Sequence, residues 1–452
     1  MNRSWGRPLV GFLAGGLAGM TVLTVNVVGA VAPGGPPAQE RSLREILHTP
    51  PLVLGREDAV RLRYDVVCAR DELGTPCSPA GTAYVRPQGD RAYMEVPLSS
   101  DGDAALSTSL PARFARAGGI EYYAVVESGG ESLTLPPGGP AAPHRATVVP
   151  SWIDVELGAH RFGAATAPDR RIASARWGRG DRELGLDTGP EQARIGPSAF
   201  DVPGDGSVVV LDQVNRRLAV FKRGGGAVRH VPIPFSGGEG DLAVERDGTV
   251  HVLDEGGTAR RGPVVRTFGA AGDLRSSIPL AARSADMLRL GPDGPIAHAY
   301  PAEAWLPARS GRAALSPAEQ VARSRQARLF GGGEEVLVRA SPNEARFALV
   351  RGDKAVRSWR VAGETTLGEV QLAEPYGNGL LVVLREWTET EAEFSVLELT
   401  PSGLRRSFSV ERAEWAESGP LSRFRLDGDS LYQLRSAPSG VEIVAFDLGG
   451  TR

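Results

Sequence analysis

Two cysteines and six histidines in 452 residues leave few soft ligands for a metal centre, since a structural zinc site alone takes four. Charge of either sign is also lacking in excess: 51 Lys plus Arg stand against 54 Asp plus Glu, a formal net charge of −3. That balance removes any whole-chain electrostatic case for nucleic-acid binding. Past the first 32 residues no apolar run is long enough to cross a bilayer, which argues against a polytopic membrane protein. What the chain has instead is turns. Its 57 glycines and 34 prolines exceed average usage, yet stay under the roughly 25–30% that marks low-complexity sequence. Many turns imply many short strands, and at ~150 residues per domain the length accommodates two or three domains with real cores.

The chain opens with Arg3 and Arg7 before an uncharged stretch from Pro8 to Ala32, closed by Pro33-Gly34-Gly35-Pro36-Pro37. A basic start, an apolar middle and Ala30-Val31-Ala32 fit a secretory signal, although the stretch exceeds a signal core of ~7–15 residues. Retained, it spans a bilayer as a single anchor. Residues 1–32 are therefore expected to be a signal peptide or membrane anchor, possessing an N-terminal helix, and 33–41 a linker. Either way the positive-inside tendency places the rest of the chain outside the cytoplasm, secreted or tethered. In such a chain Cys68 and Cys77, with eight residues between them across a Gly/Pro turn, are expected to form a disulfide; two free thiols are the alternative.

From 42 to 149, short runs of strand formers alternate with turn residues. In Ala59–Cys68, Val60, Leu62, Tyr64 and Val66 share one face and Arg61, Arg63 and Asp65 the other. Six further runs, from Thr82–Arg86 to Ala146–Val149, complete a β-sandwich pattern. The run Gly118–Glu127 (GGIEYYAVVE), with Leu133, Leu135 and Pro136 after it, resembles the late strands of a bacterial fibronectin type III-like or immunoglobulin-like domain. The resemblance implies a spacer or adhesive module, with Tyr122 or Tyr123 a tyrosine-corner or core aromatic.

Beyond a linker at 150–170 a repeat emerges. Phe200–Asp212 (FDVPGDGSVVVLD) recurs as Leu242–Asp254 (LAVERDGTVHVLD), with Asp205 and Asp247 separated by 42 residues. Each copy is an apolar strand, an Asp-Gly turn and a Val-rich strand. Weaker copies lie at Met287–Ala299, Ala327–Arg339, Glu369–Leu384 and Arg423–Leu434; taking Gly206, Gly248, Gly294, Gly333, Gly379 and Gly428 as turn markers, the gaps are 42, 46, 39, 46 and 49. Six hairpins at this period predict an all-β, six-bladed β-propeller over 171–449. The chain ends one strand short of a four-stranded last blade, and Arg171–Trp177 is expected to supply that strand and close the ring. A short helix is predicted from Pro317 to about Ala327, from Ser316 as cap, Pro317 at the first position and Glu319 after them.

Within the first blade, Asp212-Gln213-Val214-Asn215-Arg216-Arg217-Leu218-Ala219-Val220-Phe221 resembles the NHL repeat, Asp-x-x-Asn-x-Arg-(Ile/Val)-x-x-Phe, with Leu218 a mild departure. The resemblance assigns Asp212, Asn215, Arg217 and Phe221 structural roles. Propellers of this kind include calcium-dependent lactonases and a zinc-dependent lyase with axial metals, and His251 and His298, on comparable strands, are the one hint of such a site. Asp205, Asp247 and Asp293 each precede glycine, where turn geometry explains them. No nucleophile elbow, phosphate loop, zincin or calcium-loop motif occurs. The sequence therefore assigns no catalytic residue, no metal ligand and no cofactor. It points to a non-enzymatic, extracytoplasmic protein that binds a protein, peptide or glycan at the cell envelope through one propeller face, with a metal-dependent hydrolase or lyase as the alternative.

Overall fold

The computed structural model describes residues 43–449 except 69–77, 103, 112, 115–117, 190–192, 225–227, 236–239, 256–261, 301–302, 309–314, 331–332, 353 and 417–422. The expected signal or anchor, the linker at 33–41 and Cys77, the expected partner of Cys68, lie outside the described residues. Among those described, no helix is long and apolar enough to cross a membrane.

The fold is almost entirely antiparallel sheet. In the amino-terminal part, one sheet runs in the order Leu43–Leu47, Val60–Cys68, Ala105–Leu110, Ser99–Ser100. The facing sheet runs Val53–Gly55, His144–Val149, Gly119–Ser128, Ala80–Pro87, Met94–Pro97, with Glu131–Leu135 hairpinned onto Gly119–Ser128. The alternation read in Val60–Cys68 is what makes this a sandwich: Leu62, Tyr64 and Val66 are buried, their neighbours exposed, and they pack against Val85, Tyr122, Ala124 and Val126 of the opposite sheet. Leu43–Leu47 and Val53–Gly55 are strands that the sequence reading did not separate from their surroundings.

After residue 150 six sheets follow in chain order, a propeller-like arrangement. Sheet one comprises Ala199–Asp201, Val208–Asp212, Arg217–Phe221 and Val228–Pro232; sheet two Gly240–Val244, Val250–Asp254, Val264–Phe268 and Leu274–Pro279. Sheet three has only Ser284–Gly291, Gly294–Tyr300 and Ala304–Pro307. Sheet four is Arg328–Leu329, Glu334–Ala340, Glu344–Arg351 and Lys354–Ala362; sheet five Thr366–Tyr376, Gly379–Trp387, Ala392–Thr400 and Gly403–Glu411. Sheet six is Phe424–Asp427, Ser430–Ala437, Gly440–Asp447 and, from far upstream, Arg170–Trp177, with the short Glu183–Leu184 parallel to it at the edge. That last pairing is antiparallel, Arg171 opposite Val444 and Ala175 opposite Val441, so the chain's late strand finds its partner 270 residues earlier in the way the missing-strand argument required.

The second strands explain the Val-rich repeats. Every residue of Val208–Asp212 and Val250–Asp254 is buried, because both faces of the strand meet a neighbouring sheet. Apolar clusters join sheets one and two, two and three, four and five, five and six, and six and one. Among the described residues no such cluster joins sheets three and four.

Three details depart from the sequence expectations. Ile153–Glu156, inside the expected linker, forms a fifth strand on sheet four, parallel to Lys354–Ala362. The helix covers only Pro317–Ala322; its capping box is present, but Ser324 Oγ caps the Val321 carbonyl and Arg325 bridges Trp305 through both backbone groups, which draws the chain out straight. In the fifth hairpin the left-handed residue is Gly377 (φ 58°), whereas Gly379 is needed for lack of room: a Cβ there would lie 1.8 Å from the Leu399 carbonyl oxygen. The sandwich docks on sheet four through Leu52, Val53 and Val149 against Leu337, Ala348 and Val350, with an Asp58–Arg346 ion pair beside this seam.

Candidate functional site

All six sheets contribute to a cavity of about 590 Å³ on the axis of the ring, lined among others by Asp201, Leu242, Arg289, Arg328, Glu374 and Arg425. These come from the innermost strands of sheets one to six in turn. Each lies on an edge strand of its sheet, where side chains of six sheets converge, so charges placed there meet one another across the axis.

Asp241, 1% exposed, organises one side. Its Oδ1 accepts from Leu242 N at 2.8 Å and from Arg425 Nη2 at 3.0 Å; its Oδ2 accepts from Leu288 N at 2.8 Å and Arg289 Nη1 at 2.6 Å. One carboxylate thereby links sheets two, three and six. Arg425 also donates to the Leu242 carbonyl at 3.1 Å and lies 3.4 Å from Asp201, whose Oδ2 accepts from Val244 N at 2.8 Å. Opposite, Arg328 of sheet four pairs with Glu374 of sheet five at 2.5 Å.

Burial and pairing compete at each group. Burial raises the Asp201 carboxyl above its usual range despite Arg425. For Glu374 burial acts upward but the Arg328 guanidinium prevails, and its carboxyl is held low. Burial and the nearby Arg425 bring Arg289 down to about 10 against the pull of Asp241, so it stays charged at neutral pH. Burial would lower Arg425 as well, but Asp241 and Asp201 raise it. The belt is thus three guanidiniums against three carboxylates, neutral as a whole. Among the described residues the lining contains no histidine, serine, cysteine, lysine or tyrosine. At its rim stand the exposed Asp205, Arg246 and Asp427.

An axial metal does not fit this belt. Each carboxylate already faces a guanidinium, and a divalent cation would sit among Arg289, Arg328 and Arg425. Among the described residues no group of three or more His, Cys, Asp or Glu is arranged to hold a metal ion. His251 and His298 do not meet on the axis: His251 is held by Thr267 (3.0 Å) and Glu245 (2.8 Å), His298 by Asp286 (2.7 Å) and Glu303 (3.4 Å). Burial alone would lower His298, but these two carboxylates carry it up to about 10.

The repeat-motif residues lie elsewhere. Asp212, fully buried, accepts from Gly185 N (2.9 Å), Asn215 Nδ2 (2.8 Å) and Arg217 Nε (2.8 Å). Asn215 donates to Gly178 O (2.9 Å), and Arg217 to the carbonyls of Arg179 (3.0 Å), Gly180 (3.2 Å) and Glu183 (2.8 Å). Phe221 is in the core between sheets six and one. Asp205 and Asp247 accept from the N–H two residues on, at 2.8 and 2.9 Å, which is turn chemistry. Sequence reasoning did not single out Asp241, Arg289, Glu374 or Arg425. The available signal was a charge set inside a short apolar strand, as in GDLAV and FRLD.

No family model matches the chain, and no curated protein matches it. Among solved structures it is similar to the PQQ-bound aldose sugar dehydrogenase of Streptomyces coelicolor (11% identity, 62% of this chain and 97% of that one, TM-score 0.35). It is also similar to virginiamycin B lyase of Staphylococcus aureus (10%, 56% and 94%, TM-score 0.33). A Bacteroides thetaiotaomicron protein of unknown function shares 12% identity over 91% of this chain and 99% of its own, TM-score 0.29. Nothing of their chemistry is carried to this chain at that level of similarity; the propeller-like class rests on the sheet order and the closing strand.

Proposed function

We propose that this is a non-enzymatic recognition protein whose propeller-like ring takes a peptide or glycan at the mouth of its axial cavity. The observation that carries the reading is the cavity itself: its lining combines the exposed charged side chains of Asp205, Arg246 and Asp427 with a belt whose guanidiniums and carboxyl groups face one another, and among the described residues it holds no serine, cysteine, histidine or lysine. Such a lining orients a polar chain without reacting with it. The Asp212–Asn215–Arg217 network supports an NHL-type ring of six blades, and the two facing sheets of residues 43–149 support an immunoglobulin-like or fibronectin type III-like module. The basic and apolar start of the chain supports a location outside the cytoplasm, secreted or membrane-tethered, where Cys68 and Cys77 pair.

The test is retention of cell-wall glycan fragments and a random peptide library on the immobilised full chain, compared with Arg246→Glu and Asp427→Lys, which alter the rim alone. Retention that the rim variants weaken supports the reading; retention of neither probe, or retention indifferent to both changes, refutes it. A reporter active only outside the cytoplasm, fused after residue 449, tests the location, and thiol labelling before and after reduction tests the cysteine pair.

A further inference from the structure

A second cavity, of about 290 Å³, lies where the ring has no apolar seam, between sheets three and four. Its polar wall is Gln326, Arg328, Arg339, Gln371 and His298 with the carboxylates Glu303 and Glu374, the last on sheet five, and Leu52 of the sandwich lies among the lining residues. A place between two sheets is normally filled by aliphatic side chains, as the other five seams are. Here polar groups stand among the aliphatic side chains, such as Met287, Val336, Val338 and Val370, and several of them have no partner among the described residues.

Gln326 is fixed by its own oxygen: Oε1 accepts the N–H of Arg145 at 2.7 Å, which turns the amide nitrogen the other way, buried and without an acceptor. Arg328 spends one terminal nitrogen on Glu374 and stacks on Phe330 at 4.3 Å, while its buried Nε donates to nothing. Gln371, 7% exposed, has only a 3.5 Å contact from Nε2 to Glu369, and its buried Oε1 accepts from nothing. Buried amides and guanidinium N–H groups are ordinarily paired, because leaving them unpaired forfeits their hydration. Of the cations in the wall, Arg289 has Asp241, Arg328 has Glu374, and His298 has Asp286 and Glu303. Half-buried Arg339 has no carboxylate partner among the described residues, and opposite it on the neighbouring strand stands another arginine, Arg346. Arg339 is thus a cation without a carboxylate of its own, although the four cations are matched in number by Asp241, Glu374, Asp286 and Glu303, and beside it stand two spare donors and one spare acceptor.

We propose that this cavity binds a small 2-hydroxycarboxylate, its carboxylate received by Arg339, Arg328 Nε and Gln326 Nε2 and its hydroxyl donated to Gln371 Oε1. The volume, at the lower limit of ligand pockets (~300–1,000 Å³), suits a molecule of that size and not a polymer. Guanidinium groups favour carboxylates through paired N–H donors. The proposal does not rest on the peptide or glycan reading, which concerns the axial rim.

The experiment is calorimetric titration of the full chain at pH 7 with lactate and malate, with propionate, succinate and sulfate beside them. Expected is saturable one-to-one binding of a hydroxy acid, weakened at least about tenfold by Arg339→Gln and by Gln326→Leu. Gln371→Leu should abolish the preference for lactate over propionate without weakening propionate. Arg339→Lys, which keeps the charge and loses the planar donors, serves as the second variant if Arg339→Gln does not fold, and should also weaken binding. The proposal is overturned by no saturable heat up to ~10 mM ligand, a concentration marking affinities too weak to be specific. It is equally overturned by binding indifferent to position 339, or by sulfate binding as well as malate, which would leave only a hydrated, positively charged gap.

Discussion

Replacing Asp241 by Asn changes one atom in the side chain and should be among the most damaging substitutions in the ring. The carboxylate takes four hydrogen bonds, two of them from the buried guanidiniums of Arg289 and Arg425 and two from backbone N–H groups of sheets two and three. An amide accepts on one side only, so its NH2 must confront either Arg289 with Leu288 N–H or Arg425 with Leu242 N–H. Two charge-assisted or backbone bonds are lost and a buried cation loses its counter-ion, a loss of about 3–5 kcal/mol by analogy with broken buried pairs. With a Tm shift of roughly 2–4 °C per kcal/mol for a domain this size, the midpoint should fall by roughly 6–20 °C. Scanning calorimetry of the full chain measures it, with Asp205→Asn at the exposed rim as a control expected within about 0.5 kcal/mol of the parent. The triple change Asp241→Leu, Arg289→Met, Arg425→Leu should recover a large part of the loss, since apolar replacements remove the charges that need partners. An Asp241→Asn protein melting within about 2 °C of the parent would refute the claim that this carboxylate holds three sheets together.

Acid should loosen the sandwich before the ring. His48 is lowered to about 4, chiefly by burial and against its bond to the Arg63 carbonyl, and His144 to about 3, by burial and by His48 beside it. Both imidazoles are neutral when folded and charge near pH 6.5 when unfolded, so the unfolded chain binds more protons between those values. Their contribution is whole above pH 6.5 and is lost as pH falls toward 4 and then 3, roughly 3 kcal/mol for His48 and roughly 5 kcal/mol for His144, each taken alone. Urea midpoints followed by a probe in residues 43–149 should drop across that window, and the double change His48→Gln, His144→Gln should flatten the curve. An unchanged slope in the double variant would contradict the assignment. A third prediction concerns the segment joining Ile153–Glu156 to the closing strand. His160 sits between Glu386 (3.2 Å) and Glu393 (2.9 Å), both buried carboxylates, and His160→Ala should cost about 3–5 kcal/mol by leaving them without the ring nitrogens. Limited proteolysis within 157–169 should speed up accordingly; cleavage at the parent rate would count against it.

Architecture was legible where one physical constraint dominates. Hairpins at a near-constant period forced similar sheets, and a last sheet lacking a strand forced Arg170–Trp177 onto Gly440–Asp447. The turns of Asp205 and Asp247 also followed from local chemistry. Ile153–Glu156 escaped notice because four residues on an outer edge give no periodic pattern, and its parallel partner lies two hundred residues away. The axial belt was hidden for a related reason. Nothing local distinguishes Arg425 in FRLD from an exposed arginine; only the ring brings it to Asp241, 184 residues distant. His251 and His298 read as comparable positions in sequence, yet each found carboxylates near its own sheet, so equivalence along the repeat did not become convergence in space.

The closing pair has a consequence for biogenesis. Arg170–Trp177 leaves the ribosome long before Gly440–Asp447, its antiparallel neighbour. At translation rates of ~5–20 residues per second, the intervening chain takes roughly 15–50 s to appear. Throughout that time the early segment presents an unsatisfied edge, and sheets one to five have no means of locking into a circle. A nascent chain whose circle cannot lock until Gly440–Asp447 is made is open meanwhile to chaperone capture and to mispairing, and deleting that one late strand would strip the early one of its antiparallel neighbour.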